Sequence, residues 1–106
     1  GVAFRETTFI PTFSKYSKEK CYGVQLHVTN REKFKPLQTV LCLIHHIHSE
    51  YSCDFKWSNS HFDRLAGSEE IRKDIQNGQS VEIIVEKWQQ ELEQFRRERE
   101  EFLLYP

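Results

Sequence analysis

The chain of 106 residues has no methionine, only three prolines and four glycines, and three cysteines. A complete translated frame starts with methionine, so we expect a segment of a longer protein. Cys21, Cys42 and Cys53 are too few, and odd in number, for a disulfide framework. They read as buried or incidental thiols, with one bridge plus a free thiol left open for an exported chain. Neither sign of charge is in excess: 15 Lys and Arg stand against 16 Asp and Glu, a formal net charge of −1. This excludes the strongly basic balance of a nucleic-acid-binding domain and gives no electrostatic case for an anionic membrane surface. No run approaches the ~18 consecutive apolar residues that cross a bilayer. No Gly-rich phosphate loop, nucleophile elbow, internal repeat or low-complexity segment is present.

What is present is globular. The chain is 38% hydrophobic and 29% charged, with eight Phe, four Tyr and two Trp, enough apolar surface for one core. The first half reads as β. Val2 to Ile10 is β-branched and aromatic, and Pro11 ends it. Thr12 to Glu19 is a polar loop. Cys21 to Thr29 alternates, with Val24, Leu26 and Val28 on one face and Gln25, His27 and Thr29 on the other.

The second half reads as α. Pro36 suits a first helical turn, and Leu37, Val40, Leu41, Ile44 and Ile47 form an apolar stripe. Phe55 and Trp57 lie in an ordered loop or short strand, and His61 to Leu65 in a helical turn. A further helix follows Ser68, with Ile71 and Ile75 buried and Asn77-Gly78 as its stop. Ser80 caps a last helix whose stripe is Val81, Ile84, Trp88, Leu92, Phe95, Arg99 and Phe102. Leu103 to Tyr105 reads as a strand or tail docked on the sheet. The fold class expected is α+β: a small, mostly antiparallel sheet with three or so helices packed on one face and a long C-terminal helix. The chain is expected to be a single domain, residues 1–106.

Few residue clusters suit chemistry. His45, His46 and His48 crowd one helix, but consecutive residues diverge by about 100° and no fourth ligand accompanies them, so no metal is expected. Glu86, Glu91, Glu93, Glu98, Glu100 and Glu101 alternate with arginines and read as a solvated face. A glycosidase instead needs two carboxyls about 5–9 Å apart across a cleft, one with a raised pKa. Cys21 and His27 are six residues apart on one strand, about 20 Å, too far for a nucleophile and base. There remain Thr12, Ser14 and Lys15 in the loop, and Gln25, His27 and Thr29 on one strand face. Such hydrogen-bonding groups suit a polyhydroxylated ligand, although any strand with a solvent face also looks like this.

Several motifs resemble the C-terminal domain of the NamZ family, bacterial exo-β-N-acetylmuramidases. They are F-x-P-T-F-S-K-Y at Phe9 to Tyr16, C-x-G-V-Q-L-H-V-T at Cys21 to Thr29, and the Phe34/Pro36 helix entry. D-F-K-W at Asp54 to Trp57, F-D-x-L-x-G-S at Phe62 to Ser68 and I-x-x-G at Ile75 to Gly78 agree. So does the ending W-x-x-E-L-x-x-F-x-x-x-R-x-x-F-L-L-Y at Trp88 to Tyr105. Asn30, where the family more often has Asp, and Tyr22, where Gly is frequent, depart from the pattern.

The resemblance implies a parent glycosidase that removes terminal N-acetylmuramic acid from peptidoglycan fragments, in the bacterial envelope or periplasm or as a secreted protein. It implies an N-terminal Rossmann-like domain that carries the catalytic acid, with this domain packed on it and walling the substrate cleft. No catalytic residue and no cofactor is then assigned to this chain. Thr12, Ser14, Lys15, Gln25 and His27 stand at motif positions and are its candidate substrate contacts, with Lys15 placed to meet a lactyl or peptide carboxylate. The partners implied are the N-terminal domain and a peptidoglycan-derived sugar, with no nucleic acid. The alternative is a non-enzymatic protein–protein interaction module using the stripe Trp88, Leu92, Phe95 and Phe102. The two differ in whether that stripe is buried, and an aromatic stripe at helical spacing is expected to be core.

Overall fold

The computed structural model describes residues 1–105 and resolves into two compact units that divide after Pro36. The first is an antiparallel ribbon of β1 (Val2–Phe9) and β2 (Cys21–Val28), paired from Val2 opposite Val28 to Phe9 opposite Cys21. Residues directly opposite share a face, and alternate residues along a strand share a face. One face therefore carries Val2, Phe4, Glu6 and Thr8 with Val28, Leu26, Val24 and Tyr22. The other carries Ala3, Arg5, Thr7 and Phe9 with His27, Gln25, Gly23 and Cys21. Beyond the ladder, the Gly1 carbonyl accepts the amides of Thr29 and Asn30 at 3.0 and 3.2 Å. Asn30 Oδ1 accepts the Lys33 amide at 3.1 Å, so Asn30 closes a local turn.

The alternation expected for β2 is observed, but its apolar side chains remain partly exposed. Val24, Leu26 and Val28 are 54, 37 and 46% exposed. Two strands have no second layer of their own to bury a face against.

The second unit contains five helices: α1 (Pro36–Glu50), α2 (Asn59–Ala66), α3 (Glu70–Gln76), α4 (Val81–Glu86) and α5 (Gln89–Glu100). Its core is Leu41, Ile71, Ile75, Val81 and Ile84, with Ile44, Trp57, Phe62, Ala66, Val85 and Trp88 packed around them. Ser80 caps α4 as read from the sequence, whereas Ser68 precedes the α3 N-cap residue, Glu69. Ser80 Oγ accepts the Ile83 amide at 3.4 Å, and Ser68 Oγ accepts the Glu70 amide at 3.3 Å. Gly67 ends α2 at φ 85° and Gly78 follows α3 at φ 75°, a left-handed region costly for residues with a Cβ. Arg72 joins α3 to α2: its Nε and Nη2 donate to Asp63 Oδ1 and Oδ2 at 2.8 and 2.7 Å, and its Nη1 donates to Gln76. This paired geometry lets a guanidinium be buried.

The fold class is α+β, as expected, with an antiparallel two-stranded ribbon and helices of which the last is the long C-terminal one. Two expectations are corrected. The last expected helix is two, because the Trp88 amide donates back only three residues, to the Val85 carbonyl at 3.2 Å; that tighter bond interrupts the i→i−4 ladder. The stripe is consequently core only in its first half. Val81 and Ile84 are buried and Trp88 half-buried, while Leu92, Phe95 and Phe102 are 41, 59 and 80% exposed. Among the described residues Leu103 to Tyr105 form no strand: the sheet has two strands, and these residues are exposed. Apolar character alone does not specify the extended pairing that a third strand requires.

Candidate functional site

The predicted polar residues fall into two groups on the ribbon. Gln25 and His27 are neighbours on the polar face, both exposed. Thr12, Ser14 and Lys15 lie in the loop that joins β1 to β2, also exposed. At ~3.3 Å per residue, Gln25 stands about 13 Å and His27 about 20 Å along the strand from Cys21, where the loop ends. The fold thus brings Gln25 to His27 but holds His27 far from the loop. The same straight run keeps Cys21 and His27 apart, as expected.

The loop has a defined shape. Lys18 N–H returns to the Pro11 carbonyl at 2.9 Å and Glu19 N–H to the Tyr16 carbonyl at 3.0 Å. Ser17 Oγ donates to the Thr12 carbonyl at 3.2 Å. Ser14, Tyr16 and Lys18 all have positive φ, 66, 57 and 65°. Left-handed backbone costs a non-glycine residue roughly 1–2 kcal/mol, and such strain clusters at functional loops. Lys15 lies exposed within this hydrogen-bonded loop.

Register adds two residues that the sequence reading missed. Arg5 lies opposite Gln25, and Thr7 lies opposite Gly23 on the same face. Neither could be placed there from β1 alone, since a slip of one residue would put both on the other face. Phe9 reaches over Gly23, its Cε1 lying 3.5 Å from where a Cβ at Gly23 would sit. That is an ordinary van der Waals contact, so a small side chain would fit at this position.

Elsewhere the residues fit structural roles. His48 packs against Phe55 and Trp57, with ring centroids 5.6 and 5.7 Å apart, and Trp57 meets Phe62 edge-on at 4.9 Å. Among the described residues no three His, Cys, Asp or Glu side chains converge as metal ligands. The Arg72 guanidinium beside Asp63 holds that carboxyl below the usual Asp range, the opposite of what a general acid needs. The second unit also has an open groove of about 600 Å³ lined by Leu37, Ile71, Trp88, Leu92 and Phe95 together with Glu70 and Glu91. No helix of the described residues is long and apolar enough to cross a membrane.

Comparison with known proteins places this architecture. The peptidoglycan β-N-acetylmuramidase NamZ of Bacillus subtilis (strain 168) is 46% identical over 106 residues, 99% of this chain and 26% of that protein. The crystal structure of a DUF1343 family protein from Bacteroides fragilis matches all of this chain with a TM-score of 0.87 at 25% identity, over 29% of its own length. The chain therefore spans about a quarter of the length of the relatives it matches. The family model described as "Exo-beta-N-acetylmuramidase NamZ, C-terminal" matches residues 1–105, and the chain belongs to that family.

Proposed function

We propose that this chain is the C-terminal accessory domain of an exo-acting β-N-acetylmuramidase, a glycosidase that releases terminal N-acetylmuramic acid from peptidoglycan fragments at or outside the bacterial cell envelope. The observation that carries this reading is the match over residues 1–105 to a domain that is about a quarter of a peptidoglycan β-N-acetylmuramidase. Glycoside hydrolysis needs a carboxylic acid with a raised pKa facing a second carboxylate. Asp63, locked in its ion pair with Arg72 and pushed to lower pKa, is unsuited to that task. The catalytic acid is accordingly assigned to the N-terminal domain, and this domain is assigned substrate contacts only.

Those contacts are Gln25 and His27 on the ribbon and Thr12, Ser14 and Lys15 in the strained loop. The N-terminal domain of the same polypeptide is the partner. The groove at Leu92 and Phe95 offers an apolar seat for it, since about three quarters of the matched relative lies outside this domain. The second reading, a non-enzymatic interaction module, is favoured by the exposure of Leu92, Phe95 and Phe102. The test is kinetic, on the full-length protein with a MurNAc–GlcNAc disaccharide. Lys15→Ala and Gln25→Ala should each lower kcat/KM about tenfold, the scale of one lost hydrogen bond to a charged or well-placed group, with the melting temperature unchanged. Unchanged kinetics in both variants would remove these residues from the site. Absence of any glycosidase activity in the wild type would favour the interaction module.

A further inference from the structure

Antiparallel pairing sets Arg5 directly opposite Gln25, and His27 opposite Ala3, two residues along the same face. Directly paired Cβ atoms lie about 4.5–5.5 Å apart and diagonal neighbours about 7–8 Å apart. Arg5, Gln25 and His27 are therefore mutual neighbours. Ala3 supplies only a methyl group at the fourth corner, between Arg5 and His27. All three polar side chains are exposed.

The charge balance of this face is one-sided. Its eight residues are Ala3, Arg5, Thr7, Phe9, Cys21, Gly23, Gln25 and His27, and none is acidic. Glu6, the nearest acid in sequence, points to the opposite face. Among the described residues the Arg5 guanidinium has no carboxylate or carbonyl partner, whereas Arg72 is fully committed to Asp63 and Gln76. A planar, permanently charged fork with no internal acceptor, flanked by an amide and an imidazole, is matched to a carboxylate that also carries hydroxyl or amide groups.

We propose that Arg5 is the specificity-determining residue that reads the lactyl carboxylate of an N-acetylmuramic acid unit, with Gln25 and His27 holding adjacent polar groups of the same sugar. This deepens the function proposed above and rests on it. It moves recognition of the acid from Lys15, in the loop, to the ribbon. A muramic unit differs from N-acetylglucosamine by its lactyl ether, so a residue that binds that carboxylate is the one that tells the two sugars apart.

The test uses the full-length protein and four ligands: MurNAc–GlcNAc, its lactyl methyl ester, its lactyl alanine amide, and GlcNAc–GlcNAc. In the wild type, kcat/KM for the free acid should exceed that for the methyl ester by about ten- to a hundredfold, the range of a charge-assisted pair. In Arg5→Gln that ratio should collapse to about one, and in Arg5→Lys it should be partly retained, since the charge survives without the fork. The alanine amide should behave like the ester, because its carboxylate has moved to the end of the peptide. A wild type that treats acid and ester alike overturns the inference even if Arg5→Gln does not fold. So does an Arg5→Gln that folds and keeps the preference. An alanine amide that retains the Arg5-dependent advantage would show that a stem-peptide carboxylate, not the lactyl group, is read. A wild type that turns over none of the MurNAc ligands would instead sink the proposed function itself.

Discussion

Ile84→Ala tests the placement of the core most directly. Ile84 is 0% exposed and, among the described residues, sits in a cluster with four other buried apolar side chains, Leu41, Ile71, Ile75 and Val81. The substitution removes three carbons, worth about 2.4 kcal/mol at ~0.8 kcal/mol each. A residual cavity adds to that, and the better helix propensity of Ala within α4 returns about 0.4 kcal/mol. The expected loss is about 3 kcal/mol, a large part of the ~5–15 kcal/mol that holds a domain together. Trp57 and Trp88 both pack against this cluster, so intrinsic fluorescence reports on it during urea titration. With a slope of about 1.5 kcal/mol per molar urea, the midpoint should fall by about 2 M. Phe102→Ala is the matched control. That ring is 80% exposed, and its removal should cost under about 0.5 kcal/mol. A midpoint shift below ~0.5 M for Ile84→Ala, or an equal shift for Phe102→Ala, would refute this assignment of core and surface.

Trp88→Ala should cost less than a fully buried tryptophan, about 2 kcal/mol rather than ~3–5, because the ring is only half-buried; chemical denaturation measures it. Gly78→Ala should cost about 1 kcal/mol and Gly78→Asn less, since φ is 75° and no atom lies within 4 Å of the new Cβ; the difference in melting temperature separates strain from crowding. Asp63 has a folded pKa below its unfolded value because of Arg72. Its stabilisation is therefore complete above the ordinary Asp pKa of about 3.9 and is lost as pH falls through the folded value. Asp63→Asn should flatten the acid limb of a stability–pH curve, and an unchanged limb would remove the pair from the stability of the α2–α3 contact. In the full-length protein, Phe95→Glu should loosen docking of the N-terminal domain and split thermal unfolding into two transitions, read by calorimetry.

Much of the local structure was legible in the residues themselves. The β-branched alternation of Val24, Leu26 and Val28, the Ser80 cap and the Gly78 stop each act over a few neighbours, so the sequence alone sets them. The candidates Gln25 and His27 were legible for the same reason: alternation assigns them to one face. Family membership was also readable, because its motifs run from Phe9 to Tyr105 and match residue by residue. The break at Trp88 was not readable. A stripe spaced at three and four residues looks continuous whether or not one hydrogen bond shortens, and burial of Leu92 and Phe95 depends on what lies opposite them. Register was hidden as well. The residues of β1 do not say which partner in β2 each will face, and a slip of one would have sent Arg5 to the apolar side. Only the pairing of the two strands sets Arg5 beside Gln25 and His27 with no acid in reach, because that contact joins residues about twenty apart in the chain, beyond the range of any local propensity.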